Sequence, residues 1–321
     1  MLILTGEEVV RLLDMPGCMV AMEEALVTLA RGEFHLPLRP IVRPPGESHL
    51  LGLMPTYRSG KRPLYALKTV AVVPDNPVRG LDPHQGTVTL YDGTTGEVLA
   101  VMNASPITAI RTAAVSGVAT RALAREDARV LAVVGAGHQA RPHVAAMLEA
   151  RPFEEIRISS RNRESAERLA ADWPSARAVK SNEEAVRGAD VICTVTQSAD
   201  PVLRAEWLEP GAHINAVGAC FPHTRELDTE TVVRSSFFTD RRESCENEAG
   251  DYVIPLNEGA IAEGHIKAEL GEVLAGTAPG RTSPEEITVF ESLGLAVEDL
   301  AAAEYLVRRA GETGTGTTVE F

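Results

Sequence analysis

The 321-residue sequence predicts an α/β fold: a doubly wound parallel sheet, joined to a second domain of mixed α+β structure. Between residues 129 and 218, short apolar runs alternate with helical patterns, as in a parallel sheet covered by helices on both faces. A glycine-rich turn follows the first of these runs. The first hundred residues instead carry extended segments interrupted by prolines, which predicts a mixed sheet.

The N-terminal part is predicted to begin with one helix over residues 6–31. Strands follow at residues 64–73, 87–91 and 98–102, and the segment DGTTG forms the turn between the last two. Ser105 is expected to cap a helix that has Pro106 at its first position and runs to about residue 126.

The central part alternates strands and helices. Strands are predicted at residues 129–134, 156–160, 178–180, 190–196 and 213–218, and helices at 139–149, 165–172 and 182–187. A last helix spans residues 294–309, and we expect the Gly/Thr-rich tail after it to be loosely held. Residues 121–297 therefore form one predicted domain, and residues 1–120 with 298–321 form the other.

The composition excludes several classes of protein. The chain is 44% hydrophobic and 24% charged, which is typical of a soluble globular protein. Its apolar runs are far shorter than the roughly 20 residues that span a bilayer, and its net charge of −14 argues against nucleic-acid binding. Cys18, Cys193, Cys220 and Cys245 are widely spaced, and no His/Cys/Asp group has metal-ligand spacing. The N-terminus lacks a signal peptide, so we expect a cytoplasmic protein. Because the spacing of possible ligands does not fit a metal site, we also expect no bound metal.

The segment VVGAGHQA carries a dinucleotide fingerprint of the form G-x-G-x-x-A, which predicts a Rossmann domain. Gly135 makes the tight turn, Gly137 lets the backbone approach the diphosphate, and Ala140 allows close packing of the helix. Backbone amides at His138 and Gln139, at the start of the helix, face the phosphates. A tight turn with only a structural role is the alternative.

The second strand of this domain ends at Ser160, Arg161 and Asn162, where an NAD enzyme normally has an acidic residue for the ribose hydroxyls. Hydroxyl, guanidinium and amide groups instead suit a 2′-phosphate, with Arg161 as its bidentate partner. NADPH is therefore preferred, and NADH is possible. The alternative is that Arg161 is a solvated residue at a helix start.

A set of sequence segments resembles the ornithine cyclodeaminase/μ-crystallin family from about Pro37 to Ala303. These segments, in order, are MPTYRSGK, ALKTVAVVP, HQGTVTLYD, TAIRTAAVSGVATRAL, VVGAGHQA, PGAHINAVGA, RELD, AELGEVLAG and VFESLGLAVEDLAAA. The resemblance implies an N-terminal dimerisation and substrate domain, a central Rossmann domain, a C-terminal helix that returns to the first domain, and a homodimer.

The resemblance also implies an active site between the domains, where Arg43, Lys68 and Arg111 bind a substrate carboxylate and Lys68 lies beside the reacting carbon. The residues themselves support part of this. Lys68 lies in an apolar strand and Arg111 in a helix of small apolar residues, so each needs a partner, an exposed position or, for the lysine, a lowered pKa. The residues carried over as nicotinamide or ribose contacts are Thr112, Thr196, Val217, Gly218 and Leu295, with strand-end packing as the alternative.

Two departures from the family pattern indicate its branch. Cyclodeaminases carry an aspartate and a glutamate where this chain has Cys220 and Gly52. Cyclodeamination needs a group that shuttles protons among the substrate amines, so the loss of both acids weakens the case for ring closure. The chain is thus more similar to the μ-crystallin branch of NADPH-dependent ketimine reductases.

The resulting expectation is an NAD(P)H-dependent reductase of a cyclic α-imino acid, of the Δ1-pyrroline-2-carboxylate or Δ1-piperideine-2-carboxylate type, with Lys68 as the proton relay. The alternative enzymes are an ornithine cyclodeaminase and a dehydrogenase of alanine or N-alkyl amino acids. The alternatives without catalysis are an NADPH-dependent binding protein and a regulator that senses the redox state by binding the dinucleotide. His84 could donate a proton, although a turn histidine with hydrogen-bonded nitrogens explains it as well.

Overall fold

Two separate sheets organise the chain. The computed structural model describes residues 1–320, which divide into unit 1 (residues 1–111 and 295–320) and unit 2 (residues 112–294). The first division falls within the helix that carries Arg111 and Thr112, and the second lies just before the last helix. Among the described helices, none has the length and hydropathy needed to cross a membrane.

The described strands are β1 (Leu2–Leu4), β2 (Phe34–His35), β3 (Ile41–Val42), β4 (Leu50–Arg58), β5 (Leu64–Val72), β6 (His84–Asp92), β7 (Val98–Asn103), β8 (Val130–Val134), β9 (Glu155–Ser159), β10 (Ala176–Ala178), β11 (Val191–Thr194), β12 (His213–Ala216), β13 (Ser236–Thr239), β14 (Ile266–Glu269), β15 (Thr288–Glu291) and β16 (Thr317–Thr318). The described α-helices are α1 (Gly6–Leu12), α2 (Met15–Ala30), α3 (Ala104–Leu123), α4 (Ala140–Ala150), α5 (Arg163–Ala170), α6 (Asn182–Val186), α7 (Thr229–Arg234), α8 (Arg242–Glu248), α9 (Gly250–Asn257), α10 (Leu270–Leu274) and α11 (Ala296–Thr313). Short 3-10 helices lie at Asn76–Arg79 and Ala205–Trp207.

Unit 1 contains a mixed sheet in the order β16-β1-β7-β6-β5-β4-β2, with β3 paired to β4. Successive side chains of β4 and β5 alternate between a buried and a more exposed face, as strand geometry requires. Helix α11 packs against β4, β5 and β6 and against α2. Lys68 shares the buried face with Ala66 and Val70, so the strand itself turns the lysine away from solvent.

The predicted single helix over residues 6–31 is wrong, because the structure has two helices there. Helix α1 begins at a capping box formed by Thr5 and Glu8. The Asp14 carboxylate then accepts a hydrogen bond from the Gly17 amide at 2.9 Å and starts α2, with Pro16 in its first turn. This local cap interrupts an apolar pattern that otherwise continues through Leu13.

Two further local predictions are wrong. Helix α3 begins at Ala104, and the Asn103 carboxamide oxygen accepts the Ser105 amide proton at 3.0 Å, so Ser105 is not the cap. The Ser105 hydroxyl instead donates to the Asp82 carboxylate. The C-terminal tail is held by β16, in which Thr318 pairs with Leu2 of β1, because the short N-terminal strand leaves an edge for it.

Unit 2 contains an 8-stranded sheet in the order β10-β9-β8-β11-β12-β15-β13-β14, and every pairing is parallel. Its central strands β11 and β12 are buried along their whole length and β8 is buried from Leu131 onward, as expected when helices cover both faces. The predicted fold class is therefore confirmed. Between residues 219 and 293 the sequence pattern predicts no elements, whereas the structure adds three strands and four helices among the described residues.

Candidate active site

The turn after β8 requires glycine at its first position. Gly135 has φ +117°, a conformation that side chains rarely adopt. A Cβ atom there would lie 2.8 Å from the Val195 carbonyl oxygen, which follows β11. The Gly135 amide donates to the Ser159 carbonyl at 2.9 Å. The turn therefore lies where the sheet order diverges from β8 toward β9 on one side and β11 on the other, the place where open α/β sheets bind ligands.

The second fingerprint position faces open space. A Cβ atom at Gly137 would meet no described atom within 4 Å. Helix α4 then begins at Ala140, which is fully buried, and the Gln139 side chain makes no capping hydrogen bond within the described chain. A helix start with uncapped amides beside an open glycine is a cradle that fits the diphosphate of a dinucleotide.

Ser160, Arg161 and Asn162 follow β9 at the same edge of the sheet. The Asn162 carboxamide accepts the Ser165 amide proton at 3.3 Å and caps α5. The Ser160 hydroxyl accepts the Asn162 amide proton at 3.3 Å. Arg161 is exposed, and nothing in the described part of the chain pairs with its guanidinium group. Arg161 is thus the member of this group that can bind an anion.

The residues after β11 and β12 lie against each other. A Cβ atom at Gly218 would lie 1.7 Å from the Thr196 carbonyl oxygen, so the two loops touch at a position that only glycine can occupy. Thr196, Val217 and Gly218 come together here. Thr112 is buried in α3, and Leu295 belongs to unit 1, where it packs with Leu36 and Val297.

A buried group of charges lies in unit 1. Lys68 of β5 is 2% exposed, and its Nζ lies 3.0 Å from Oδ1 and 2.8 Å from Oδ2 of Asp299 in α11. Arg111 of α3 donates through Nε to the same Oδ1 at 3.2 Å and through Nη1 to Glu298 Oε2 at 2.6 Å. We call Lys68, Arg111, Glu298 and Asp299 the basic-acidic cluster.

The cluster controls the protonation of its lysine. The pKa of Lys68 is lowered from 10.5 to about 8, chiefly by burial; the Asp299 carboxylate raises it, and the neighbouring Arg111 adds to the decrease. The sequence expectation that Lys68 needs a partner or a lowered pKa is met in both respects. A lysine with this pKa can hold or release a proton near neutral pH.

Other predicted residues lie outside the cluster. Arg43 follows β3 and is exposed. The Cys220 thiol donates to the Val217 carbonyl at 3.3 Å, and Gly52 is buried in β4 opposite Val70. The His84 ring lies 3.8 Å from the Asp82 carboxylate. Within residues 1–320, no group of three or more His, Cys, Asp or Glu side chains could hold a metal ion.

Sequence reasoning missed three buried carboxylates that contact predicted site residues: Glu298, Asp299 and Glu226. The first two occupy the first turn of α11, where acidic residues usually face solvent and favour the helix dipole. The sequence feature that could have identified them as buried is the apolar sequence on both sides, AV before and LAAA after, because it buries this turn. Glu226 lies in the segment RELD and is fully buried.

The chain is similar to several characterised proteins. Residues 1–314 match the profile of the ornithine cyclodeaminase/mu-crystallin family. The ketimine reductase mu-crystallin of Mus musculus is 42% identical over 287 residues, covering 88% of each chain. Thermococcus litoralis Delta(1)-pyrroline-2-carboxylate reductase in complex with NADH and L-proline gives a TM-score of 0.95 at 37% identity, covering 99% of this chain and 100% of that one. An archaeal alanine dehydrogenase dimer with bound NAD gives 0.94 at 35% identity, covering 100% and 99%.

Proposed function

The chain belongs to the ornithine cyclodeaminase/mu-crystallin family, and we propose that it reduces a cyclic α-imino acid to the cyclic amino acid with a nicotinamide dinucleotide, NADPH being preferred. The observation that carries this proposal is the buried Lys68, paired with Asp299 and able to exchange a proton near neutral pH. The relatives named as ketimine and pyrroline-2-carboxylate reductases support the substrate class.

Unit 2 would hold the cofactor. The Gly135 turn and the amides at the start of α4 bind the diphosphate, and Arg161 binds the 2′-phosphate that distinguishes NADPH from NADH. When bound, the reduced nicotinamide supplies a hydride. The relatives with solved structures contain NADH and NAD, so the preference for NADPH rests on Arg161 and on the absence of an acidic residue at positions 160–162.

Unit 1 would anchor the substrate. Arg111 and Lys68 bind the carboxylate, and the exposed Arg43 adds a third cation as the substrate enters. The substrate enters as the iminium, and hydride addition to its α-carbon leaves a neutral amine nitrogen. Lys68, as an ammonium group, donates a proton to that nitrogen.

The charges of the basic-acidic cluster favour an imine over a carbonyl substrate. Two cations face two carboxylates, so the buried cluster is already neutral. An α-iminium carboxylate adds one positive and one negative charge and keeps the balance. A 2-oxo acid adds only a negative charge and leaves it uncompensated in a buried site.

One alternative has specific support. Alanine dehydrogenase activity is favoured by the similarity to the archaeal alanine dehydrogenase. Cyclodeamination is disfavoured because Cys220 and Gly52 replace the two acids of the cyclodeaminase pattern, and neither position here carries a carboxylate. A binding protein without turnover would keep NADPH affinity and reduce no imine.

We also propose that two copies associate through unit 1. The sheet face opposite α2 and α11 bears an apolar surface around Tyr57, Tyr65 and Leu67, and Tyr65 is 47% exposed. The rings of Tyr57 and Tyr65 lie 4.6 Å apart, tilted by 40°, and form one continuous aromatic patch. Such a patch is suited to a self-complementary interface. Light scattering should give a dimer mass for the wild-type chain and a monomer mass for Tyr65→Lys.

The experiment that tests the proposed activity measures absorbance of the reduced nicotinamide. The protein is mixed with NADPH or NADH and with each cyclic ketimine, and separately with NAD⁺ or NADP⁺ and alanine. Rapid oxidation of NADPH by a ketimine supports the proposal. Turnover of alanine alone would favour the dehydrogenase, and ammonia release from ornithine without added reductant would favour the cyclodeaminase.

A further inference from the structure

One buried carboxylate joins the loops that follow β11 and β12. Glu226 is fully buried, and its Oε1 accepts the Thr196 amide proton at 2.6 Å. Its Oε2 accepts from the Gly218 amide at 2.7 Å, the Thr194 hydroxyl at 2.8 Å and the Val217 amide at 3.3 Å. Three loop amides and one hydroxyl from the end of β11 therefore converge on a single side chain.

The geometry of the two loops depends on this carboxylate. At Gly218, a Cβ atom would lie 1.7 Å from the Thr196 carbonyl oxygen and 2.8 Å from the Glu226 carboxyl group. The loops are therefore as close as backbones can be, and Glu226 fills the remaining space. Burial raises the pKa of Glu226, while the hydrogen bonds from Thr194, Thr196 and Gly218 lower it.

The backbone of Glu226 is itself held by hydrogen bonds with other segments of the chain. Asp251 Oδ1 accepts the amide protons of Glu226 and Leu227, each at 2.9 Å, and Asp251 is fully buried. The Glu226 carbonyl accepts from the amides of Val202 and Leu203. The backbone of Glu226 is thus held by neighbouring segments, which limits how far its carboxylate can move away from the loops.

The position of these loops in the sheet indicates which half of a dinucleotide they meet. The residues at positions 160–162, which are proposed to bind the 2′-phosphate, follow β9. This strand lies on one side of β8. Thr196 and Gly218 follow β11 and β12, on the other side of β8. A dinucleotide whose diphosphate lies over the Gly135 turn therefore extends its nicotinamide half toward the loops that Glu226 holds.

We propose that Glu226 is a positioning residue, which sets the conformation of the loops at Thr196 and Gly218 and thereby the binding of the nicotinamide half of the cofactor. This inference rests on the proposed function for the identity of the cofactor. It does not depend on which imine is reduced. Because Glu226 is fully buried and its carboxylate is bound by the loop amides, it acts through the two loops.

The test separates nicotinamide binding from adenosine binding in the full chain. Dissociation constants are measured by calorimetry for NADPH and NADH and for their adenosine halves, 2′,5′-ADP and AMP. Glu226→Gln keeps the shape but places an amide NH₂ against backbone N–H donors. We expect NADPH and NADH to bind about tenfold more weakly and the adenosine halves to bind as in the wild type.

Glu286→Gln is a matched control. Glu286 also gathers several donors, among them the Lys267 ammonium at 2.7 Å and the Ser236 hydroxyl, but it precedes β15 at the amino edge of the same sheet. This variant should lower the melting temperature without changing any of the four dissociation constants. If Glu226→Gln fails to fold, Thr194→Val removes one donor to the carboxylate and should weaken NADPH binding about threefold with unchanged binding of 2′,5′-ADP.

Equal weakening of whole cofactors and adenosine halves would overturn the inference and leave Glu226 a purely structural residue. Unchanged binding of all four ligands would overturn it as well. A wild-type chain that binds NADPH but reduces no imine would contradict the proposed activity. The role of Glu226 would still be tested by comparing cofactor binding of Glu226→Gln with that of the wild type. A wild-type chain that binds neither cofactor would contradict both.

Discussion

Lys68 and Asp299, which lie 231 residues apart in the sequence, form a fully buried ion pair in which Nζ contacts both carboxylate oxygens. Arg111 shares Asp299 Oδ1 and extends the pair to Glu298. Removal of one partner from such a cluster leaves an uncompensated charge away from water, so its members are expected to affect one another strongly. Each prediction about the lysine follows from this arrangement.

Imine reduction should decline above a pH of about 8. Burial lowers the pKa of Lys68 to about 8, so the ammonium form that donates a proton is present below this pH and is lost above it. The logarithm of kcat/KM for a cyclic ketimine, measured against pH with saturating NADPH, should fall by one per pH unit on the alkaline side. A profile that stays flat to pH 10 would remove Lys68 from proton transfer.

Asp299→Asn should move that decline to a lower pH. The Asp299 carboxylate raises the pKa of Lys68 against the effect of burial, and an amide at the same position cannot do so. We expect the alkaline limb of the pH profile to shift down by about one pH unit or more. Arg58→Gln, which breaks the half-buried pair with Glu304 elsewhere in unit 1, serves as the control and should leave the profile in place.

Lys68→Met should reduce turnover of the imine by about 100-fold or more and leave the dissociation constant for NADPH unchanged. The methionine fills the space of the lysine stem but carries no proton and no charge. Because the variant also leaves Asp299 without its lysine, a melting curve must accompany the kinetics. Full turnover in a folded Lys68→Met protein would show that the lysine only completes the packing.

Arg161→Ala should weaken NADPH binding by about tenfold or more and leave NADH binding unchanged, because the guanidinium group is available for a 2′-phosphate that NADH lacks. Arg163→Ala is the matched control: this neighbour is also exposed but pairs with Glu167 in α5 at 2.7 Å. Equal losses for both cofactors, or equal effects of the two variants, would contradict the assignment of Arg161.

Gly137→Ala should fold normally and yet bind dinucleotides poorly. A Cβ atom at this position meets no described atom within 4 Å, so the protein itself tolerates it. The methyl group would occupy the space that the diphosphate needs, and we expect NADPH binding to fall by about tenfold or more with an unchanged melting temperature. Gly135→Ala should instead destabilise unit 2, since its positive φ and the Val195 carbonyl both exclude a side chain. Normal NADPH binding by Gly137→Ala would place the diphosphate elsewhere.

The stability of the protein should change with pH in a way that depends on the titration of Asp251. Burial raises the pKa of this carboxyl, with Glu226 adding to the effect, so the folded state holds a proton that the unfolded state has lost. The unfolded state then binds fewer protons, and this group's contribution to stability, present at acid pH, is lost as the pH rises toward the folded-state pKa. Asp251→Asn cannot ionise, so its stability in urea relative to wild type should increase between pH 5 and pH 8. A constant difference would contradict this.

The parallel sheet could be predicted because its central strands are buried on both faces. Val130–Val134 and Val191–Thr194 are short apolar runs between helical patterns, and their residue types alone mark them. Strand β13 carries serine and threonine at its ends and is only four residues long, so local pattern does not distinguish it from a loop. The break between α1 and α2 had a local signal in Asp14 and Pro16, but the apolar periodicity outweighed it.

The candidate site could be predicted only in part, because its charges meet through tertiary structure. The apolar run around Lys68 predicted a buried strand, in which a lysine needs a partner, and β5 does place Lys68 on its buried face. Nothing near Lys68 in sequence identifies that partner, since Asp299 comes from the last helix. The Glu226 carboxylate likewise joins loops that follow two different strands, and only the assembled sheet reveals it.

The central claim is tested most directly by following the hydride itself. The protein is incubated with NADPH that carries deuterium at the transferable C4 position and with Δ1-pyrroline-2-carboxylate or Δ1-piperideine-2-carboxylate, and the product is analysed by mass spectrometry and NMR. The account predicts proline or pipecolate with one deuterium at the α-carbon, formed by the wild type and strongly reduced in Lys68→Met. Bound, unreacted cofactor with neither amino acid formed would contradict it.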